Sequence, residues 1–389
     1  MKRFSCVSLF SGCGGLDLGL RQAGFDTAVC VEMSADSCDS LRANAVAPHI
    51  IEREIASVTG DAVLMAAGIK KGDLDLLAGG PPCPPYSKSR FYRKEKPRAL
   101  GDPTSDTLFQ YLRMLDELRP KIFLLENVPG LAYKVHADAI NAVLSRAGTL
   151  GYQVQYEVLN AANFGVPQIR ERLFVVGVQP GFEFVFSRPT HAEPASQLSL
   201  IEAADPWVTA GDVLSDQDTE ENAGDEGHYA GGQFNNLLAQ IPPGDNYLFF
   251  TAKRGHPNPL FKWRSRYWSF LLKLSPDKPA WTIQARRSNN MGPFHWRNRI
   301  LRISEIKRLQ TFPDEYTIAG NVESAWRQIG NAVPPKLAKV LGTQIAKALS
   351  QKGRQLKEAA HAGHTRPKRE RRTEQRIDVG TGKATPVRG

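Results

Sequence analysis

A single cysteine stands in a segment of glycines and prolines, Gly79-Gly80-Pro81-Pro82-Cys83-Pro84-Pro85, directly after the apolar run 74–78. The apolar run predicts a buried strand, and the prolines predict a stiff turn at its end. A cysteine that only packs in a core has no use for such a position. A nucleophile needs it, because its thiol must project from rigid backbone toward a substrate. We therefore interpret Cys83 as a catalytic nucleophile.

A carboxyl group follows a second apolar run in the same way. Glu126 comes at the end of the run 122–125 and precedes Asn127, Val128 and Pro129. A side chain at the carboxyl end of a parallel strand lies over the ligand crevice of an α/β sheet. Glu126 is therefore a candidate acid, and the alternative is that it caps a helix or a turn.

Three hydrogen-bond donors alternate in Gln168-Ile169-Arg170-Glu171-Arg172. In an extended chain, side chains two residues apart point to one face, so Gln168, Arg170 and Arg172 would point together. Such a set suits an anionic or carbonyl-rich ligand. The alternative is that these are surface arginines.

A glycine-rich turn, Phe10-Ser11-Gly12-Cys13-Gly14-Gly15, joins a predicted strand to a predicted helix. Glycines let the backbone approach a ligand closely, and a helix N-terminus offers free N–H groups. Glu32 ends the next strand 20 residues after Gly12, where nucleotide-binding folds place a carboxylate on ribose hydroxyls. The spacing of these glycines does not match the phosphate-binding fingerprint of dinucleotide sites. This mismatch favours an adenosyl ligand over a dinucleotide. A turn without a ligand is the alternative.

Apolar runs and helical periodicity alternate along the first half of the chain. This alternation predicts an α/β fold with a parallel, doubly wound sheet. The predicted strands are 4–10, 27–32, 74–78, 122–126 and 173–178, and the predicted helices are 16–23, 34–44, 107–119, 137–147, 304–311 and 335–349.

Composition divides the chain into four parts. We predict a catalytic domain from 1–186 and 327–350, a smaller irregular domain rich in Pro, Gly, Asn and aromatic residues at 187–298, and a connecting segment at 299–326. Residues 351–389 lack apolar periodicity and are predicted to form a disordered tail. That tail holds 11 Lys and Arg against 4 Asp and Glu, so it carries +7 of the net charge of +10. The overall charge is therefore a weak argument for a nucleic-acid partner.

The 389 residues include five cysteines without a CxxC pair, which predicts neither a disulfide framework nor a zinc site. Apolar runs of about 18 residues are absent, so we expect no membrane span. The first residues do not resemble a signal peptide. These features predict a cytoplasmic protein without a metal.

A thiol, a carboxyl group and an arginine at one crevice suggest covalent addition to an activated ring. Attack by Cys83 on carbon 6 of cytosine makes carbon 5 nucleophilic. The carboxyl group assists at ring N3, and an arginine stabilises charge on O2. Carbon 5 then takes a methyl group from a sulfonium donor.

At these residues the chain resembles the DNA (cytosine-5)-methyltransferase family. Its sequence blocks occur here in the family's order and span residues 9–335. They are Leu9–Gly15, Glu32, Gly80–Cys83, Glu126–Val128, Gln168–Arg172, Arg299–Pro313 and Gln328–Pro335.

The resemblance implies the family's fold, a Rossmann-like methyltransferase sheet with a target-recognition domain, and S-adenosylmethionine as donor. It implies that Cys83 is the nucleophile, that Glu126 protonates N3, and that Arg172, with Arg170 beside it, holds the base. The implied cofactor-binding residues are Phe10, Ser11, Gly12, Cys13, Gly15, Glu32, Met33, Glu54, Ile55, Pro82, Leu108, Asn331 and Ala332. Gly12 and Gly15 would let the loop approach the cofactor.

Four positions depart from common family patterns, and one of them is Arg302, which stands where Thr or Ser is frequent. The other three bear on the cofactor and the base. Met33 stands where a tryptophan is frequent, Glu54 stands where an aspartate is usual, and Pro84 replaces a frequent glutamine. The first two loosen the expected contacts to adenine, and the third puts a base contact in doubt.

The resemblance implies double-stranded DNA as partner and a base flipped out of the duplex. Basic residues that could meet phosphates or base edges are Lys88, Arg90, Arg93, Lys253, Arg254, Arg264, Arg266, Arg286 and Arg287. The loop 88–100 is expected to close over DNA. Trp263, Tyr267 and Trp268 are expected to form the small domain's own core.

The expected context is a monomeric, nucleoid-associated modification enzyme, with a restriction endonuclease as its genetic partner. Three alternatives remain open at this point, namely a solitary or phage-borne methyltransferase, a transfer-RNA methyltransferase and a non-catalytic DNA-binding regulator.

Overall fold

The structure is a computed structural model, and it describes residues 3–82, 106–133, 137–194, 204–219, 230–264 and 267–364. Five of the candidate residues, Cys83, Lys88, Arg90, Arg93 and Arg266, lie outside the described residues.

A seven-stranded sheet forms the centre of the molecule, in the order β3-β2-β1-β4-β5-β8-β6. The strands of the first half, including a two-residue β7, are β1 Phe4–Leu9, β2 Phe25–Glu32, β3 His49–Glu52, β4 Leu76–Gly79, β5 Ile122–Asn127, β6 Gln153–Asn160, β7 Gln168–Ile169 and β8 Glu171–Val178. The first five strands are parallel, which confirms the predicted fold class.

The predicted parallel direction is wrong for β8, which runs antiparallel to both β5 and β6. The link from β6 to β8 is too short for a helical crossover, so the chain returns antiparallel. Strand β6 was not predicted, because polar Gln153, Gln155 and Glu157 occupy the exposed side of this edge strand.

Helices cover both faces of the sheet. One face packs against α3 Gly60–Ala67, α4 Asp106–Leu118 and α5 Ala137–Thr149, and the other against α1 Gly15–Gln22 and the last helix. Helix α2, Ala35–Ala43, follows β2 and contacts β3. In the described part of the chain, none of the helices has the length and apolarity that crossing a bilayer requires.

Among the described residues after β8, the regular elements are short up to residue 302, and the irregular domain predicted at 187–298 stays a prediction. Its regular elements are β9 His191–Ala192, β10 Asp205–Pro206, α6 Ala210–Leu214, α7 Asn235–Leu238, β11 Ala280–Trp281, α8 Ile303–Leu309 and α9 Val322–Asn331. Short 3₁₀ turns lie at Ile55–Ser57, Pro129–Ala132, Ala161–Phe164, Ser215–Gln217, Gly232–Phe234, Tyr247–Phe250 and Ala252–Arg254.

Edge-to-face rings form the core of this irregular region. The rings are those of Phe234, Tyr247, Phe250, Phe261 and Phe270. The prediction that Trp263, Tyr267 and Trp268 supply this core is wrong, since about two fifths of each is exposed. Phenylalanine suits a dry core better, because it brings no N–H or O–H group that needs a partner.

The last helix, α10 Pro335–His364, returns to the first domain and packs along α1. The disorder predicted for 351–389 stays a prediction, although the helix continues beyond 349 through the stretch 351–364. That stretch is rich in Ala, Gln, Lys, Arg and Glu, which favour helix even without an apolar stripe. Residues 365–389 lie outside the described residues.

Replacing Gly19 tests the contact between α1 and α10. A Cβ at Gly19 would overlap the carbonyl oxygen of Pro335 and the side chain of Ala338. We expect G19A to lower the melting temperature, with a cost of roughly 1–3 kcal/mol for overpacking. The control is G148A in α5, where a Cβ meets no atom of the described residues within 4 Å. Equal melting temperatures for both variants would contradict the close contact.

Candidate active site

A cavity of about 600 Å³ opens at the carboxyl ends of β1, β2, β4 and β5. Parallel strands bring their carboxyl ends to one edge, which is where ligands bind in such sheets. Its lining includes most of the predicted cofactor residues together with two of the predicted catalytic ones. These are Phe10, Ser11, Gly12, Gly15, Glu32, Met33, Glu54, Ile55, Pro82, Asn331, Ala332, Glu126 and Arg172.

Glu32 ties the glycine-rich turn to the end of β2. Its Oε2 accepts a hydrogen bond from the N–H of Gly12 at 2.9 Å, and its Oε1 accepts from the N–H groups of Met33 and Ser34 at 3.0 and 2.9 Å. Gly12 has φ 54°, in the left-handed region that favours glycine. The carboxylate is thus fixed on the cavity wall before any ligand binds.

Phe10 also has a positive φ, 54°, which is uncommon for an aromatic residue. Such strained backbone is often found at functional sites. Its ring lines the cavity with Ile55, and Met33 nearby is 70% exposed. The aromatic and apolar side chains suit a flat ring.

Gly15 is needed for a different contact from the one implied by the resemblance. A Cβ there would lie 2.5 Å from the carbonyl oxygen of Val333 and 3.1 Å from the Cβ of Ala332. The glycine therefore admits the returning segment at 331–333, which forms the opposite wall of the cavity.

Glu126 and Arg172 form an ion pair at the other end of the cavity, with Arg172 Nε 3.1 Å from Glu126 Oε1. Burial raises the pKa of Glu126, and the charges of Arg172 and Arg170 oppose that rise. Burial lowers the pKa of Arg172, against the charge of Glu126. The carboxyl group packs on Gly80, where a Cβ would lie 2.7 Å from its Oε2.

Two hydrogen bonds hold the turn that leads to Cys83. The Asn127 side-chain amide donates to the carbonyl of Pro81 at 3.2 Å, and the Thr107 hydroxyl donates to that of Pro82 at 2.9 Å. Asn127 is buried, and its Oδ1 accepts from the N–H of Val128. Asn127 was not predicted as a site residue, although a polar residue at a strand end next to Glu126 is a usable signal.

Arg170 does not line the cavity, so the structure does not support the prediction that it holds the base. Its fully buried guanidinium donates to the carbonyls of Ile283, Gly330 and Ala332 at 3.2, 2.7 and 3.0 Å. Gln168 likewise donates to Gln310 and accepts from the N–H of Ile283. Of the three alternating donors, only Arg172 points into the cavity.

Leu108 and Cys13 also lie away from the cavity, in contrast to the prediction. Leu108 belongs to α4 and lies in the hydrophobic core. Thr107 and Gln110, three residues apart on one face of the same helix, line the cavity instead. Cys13 is buried, and burial raises its pKa to about 12. Further lining residues that the sequence analysis missed are Ser8, Ser34, Ser37, Arg53, Arg327 and Gln328.

The predicted DNA-binding residues of the irregular region differ in exposure. Lys253, Arg264 and Arg286 are exposed, and the Lys253 ammonium lies 4.3 Å from the ring centre of Trp263. Arg254 forms an ion pair with Asp245 at 2.6 Å. Arg287 is buried beside Glu323, at 3.6 Å, so it is poorly placed to reach DNA.

Asp17 lies buried beneath the glycine-rich turn. Its carboxylate accepts hydrogen bonds from Ser8 and Thr27, both at 3.1 Å, and Ser11 donates to Ser8. Burial raises its pKa to about 6, against the hydrogen bonds that lower it. Ser8 and Ser11 line the cavity, so Asp17 supports its floor.

Residues 4–347 match the model of the C-5 cytosine-specific DNA methylase family. The chain belongs to this family. It is therefore a DNA (cytosine-5)-methyltransferase, and the sequence-based prediction of the family is confirmed.

Two relatives and one solved structure show how closely the chain follows the family. It is 39% identical to the Type II methyltransferase M.SacI of Streptomyces achromogenes, over 86% of this chain and 90% of that protein. It is 33% identical to the Type II methyltransferase M.NgoFVII of Neisseria gonorrhoeae, over 85% and 83%. A crystal structure of a candidate DNA modification methyltransferase encoded within an E. coli prophage has the same fold. Its TM-score is 0.63 at 23% identity, over 89% of this chain and 99% of that one.

Replacing Asp17 tests its burial. The pKa of Asp17 is about 6 in the folded protein, above its ordinary value of 3.8. The protonated carboxyl group therefore stabilises the fold below about pH 4, and this contribution to the free energy of unfolding is lost as pH rises through 6. We expect D17N to lack this loss, so the variant gains roughly 3 kcal/mol relative to the wild type between pH 4 and 7. Melting temperatures across that range measure it, with D61N at an exposed carboxylate as control. Parallel pH profiles for wild type and D17N would contradict the assignment.

Proposed function

We propose that this enzyme transfers a methyl group from S-adenosylmethionine to carbon 5 of a cytosine flipped out of duplex DNA, through a covalent adduct with Cys83. One observation carries the proposal. The glycine-rich turn with Glu32 and the Glu126–Arg172 ion pair line the same cavity, whose wall at Pro82 leads to Cys83.

The cavity suits S-adenosylmethionine. Its volume of about 600 Å³ lies within the usual range for small-molecule sites. Phe10 and Ile55 would pack against the adenine, the Glu32 carboxylate would accept from ribose hydroxyls, and Glu54 would meet the adenine amine. When bound, the cofactor supplies an electrophilic methyl group on a sulfonium.

The protein residues activate the cytosine. The Cys83 thiolate forms a bond to carbon 6, and the ring electrons move toward carbon 5. Glu126 donates a proton to N3, and the Arg172 guanidinium stabilises charge on O2. Methyl transfer to carbon 5 leaves S-adenosylhomocysteine. Water then takes the proton from carbon 5, the ring double bond re-forms as Cys83 leaves as the thiolate, and N3 returns its proton to Glu126.

The cytosine has to leave the duplex for this chemistry, because a thiol and a methyl donor cannot reach carbons 6 and 5 within the base stack. Flipping costs a few kcal/mol, roughly. The basic residues Lys88, Arg90 and Arg93 follow Cys83 in sequence, and they are proposed to close over the DNA and contact phosphates.

The biological role proposed is that of a restriction-modification system's methyltransferase. It is supported by 33–39% identity to relatives named Type II methyltransferases. A restriction endonuclease of the same specificity would be the genetic partner, and the enzyme would act as a monomer on its target sequence.

Bisulfite sequencing of DNA from cells that express this chain tests the activity and identifies the target. We expect cytosines protected from conversion in one short recurring sequence, and no protection with C83S. Methylation of transfer RNA in place of DNA, or full activity of C83S, would contradict the proposal.

Replacing Glu126 tests the acid. E126Q keeps the size of the side chain but cannot donate a proton, so we expect single-turnover methyl transfer to fall about 10²–10⁴-fold. Binding of S-adenosylhomocysteine, measured by calorimetry, should stay unchanged. The control E157Q alters an exposed glutamate on β6 and should leave the rate unchanged.

The pH profile adds a second readout for Glu126. Burial raises its pKa, so its protonated form persists to higher pH than that of an exposed glutamate. The wild-type single-turnover rate should fall as pH rises through that pKa, and E126Q should lack this fall. An E126Q rate within a few-fold of the wild type would refute the role of Glu126 as acid.

A further inference from the structure

Asp17 is a buried carboxylate whose hydrogen-bond partners are neutral. It is 1% exposed, and its oxygens accept from the hydroxyls of Ser8 and Thr27, both at 3.1 Å. Within the described residues Asp17 has no ion-pair partner, and Arg21, the cation on the same helix, donates to backbone carbonyls in the turn after α2. Aspartate is almost never fully buried without a charged partner, so Asp17 needs an explanation other than packing.

The charge of Asp17 does not serve stability. Burial raises its pKa to about 6, so at neutral pH the ionised carboxylate lowers the free energy of unfolding. A neutral asparagine has the same shape and could hydrogen-bond to the same hydroxyls without this cost. Groups that lower stability in this way are typical of binding and catalytic sites.

A short chain of hydrogen bonds connects Asp17 to the cavity. The Ser8 hydroxyl donates to Asp17, the Ser11 hydroxyl donates to Ser8 at 3.0 Å, and both serines line the cavity. A ligand atom in contact with Ser8 would therefore lie roughly 6 Å from the carboxylate, which is two hydrogen-bond lengths. Charges at that separation interact appreciably inside a protein.

Helix α1 begins at the same cavity. Its first residue, Gly15, lines the cavity, and Asp17 is the acidic residue of its first turn. The N-terminus of a helix carries a positive partial charge, which attracts an anion and repels a cation. The Asp17 carboxylate offsets this positive charge, so the cavity can accept a positively charged group beside the glycine-rich turn.

The carboxylates at the two ends of the cavity are already engaged. Glu32 accepts from three backbone N–H groups, and Glu126 is paired with Arg172. Glu54 also lines the cavity but is exposed, so solvent and salt screen its charge. Among the described residues at this cavity, Asp17 is the carboxylate whose charge is neither paired nor screened.

We propose that the Asp17 carboxylate makes the cavity prefer the cationic sulfonium cofactor over its uncharged thioether product. The inference rests on the proposed function, in which S-adenosylmethionine is the donor and S-adenosylhomocysteine is the product. The two ligands share their adenosine, ammonium and carboxylate groups, and they differ by one methyl group and one positive charge. A buried negative charge beneath the glycine-rich turn favours the ligand with the additional positive charge, and it thereby favours exchange of product for fresh cofactor.

The ratio of two dissociation constants tests this preference. Calorimetry at pH 8 without DNA gives the Kd for S-adenosylmethionine and the Kd for S-adenosylhomocysteine. We expect D17N to shift the ratio about tenfold toward the product, because the variant lacks the charge but keeps the shape. Sinefungin, which carries an ammonium group in place of the sulfonium, should lose affinity in D17N as S-adenosylmethionine does.

T27V is the matched control for D17N. It removes a hydrogen bond from the same buried carboxylate but leaves the charge in place, so the Kd ratio should stay within about twofold of the wild type. An unchanged ratio in D17N overturns the proposal. An equal loss of affinity for all three ligands also overturns it, because Asp17 would then have only a structural role.

The remaining outcomes separate charge from shape. If D17N binds sinefungin as well as the wild type does while it loses S-adenosylmethionine, the methyl group is recognised and the proposal is wrong. A wild-type protein that binds none of the three ligands would instead contradict the proposed function.

The pH dependence of the Kd ratio gives a second readout. Burial keeps several groups around Asp17 neutral by raising their pKa values, and these are Cys6, Cys13, Cys30 and Tyr316. The other charges facing this region are those of Arg21 on α1 and Glu32 on β2. The preference for S-adenosylmethionine should therefore increase as pH rises through about 6, where Asp17 ionises.

This increase should be absent from D17N and present in E126Q, which separates Asp17 from the other buried carboxylate. A wild-type ratio that stays constant between about pH 5 and 8, or an increase that D17N retains, would overturn the proposal.

Discussion

The buried guanidinium of Arg170 is the constraint on which the site depends. It bonds to backbone carbonyls of Ile283 and Gly330, which lie 113 and 160 residues further along the chain. A buried charge left without partners costs about 3–5 kcal/mol. The segment between β7 and β8 therefore reaches its position only when the end of the irregular region and the turn after α9 are both in place. Arg170 joins these parts. Its positive charge also lowers the pKa of Glu126, against the rise that burial causes.

This assembly gives the cavity two chemically different ends. At one end, Glu32 and the glycine-rich turn offer a fixed carboxylate and a close backbone. At the other, the paired Glu126 and Arg172 lie against the turn before Cys83. Glu32 and Glu126 lie at the carboxyl ends of the parallel strands β2 and β5, and Arg172 lies near the start of the antiparallel strand β8. The sheet therefore fixes both ends of the cavity.

The sequence was most informative where a motif met an apolar run. The glycine-rich turn, Glu32 and Glu126 all end buried strands, and the fold class followed from those strands. The sequence was less informative about the direction of strands and the burial of polar side chains. The apolar content of β8 did not reveal that it runs antiparallel, and alternation alone could not show that Gln168 and Arg170 bond to distant carbonyls. The exposure of Trp268 depends on which of several neighbouring aromatic residues fills the core, and that is decided by three-dimensional packing.

The most direct test of the account is to trap the bond between Cys83 and cytosine. A duplex carrying 5-fluorocytosine at the target is incubated with the enzyme and S-adenosylmethionine, and the product is digested and analysed by mass spectrometry. Fluorine on carbon 5 cannot leave as a proton does, so the adduct persists. We expect a methylated fluorocytosine linked to the peptide that contains Cys83. An adduct on another residue, or no adduct from an enzyme that methylates ordinary duplex, would contradict it.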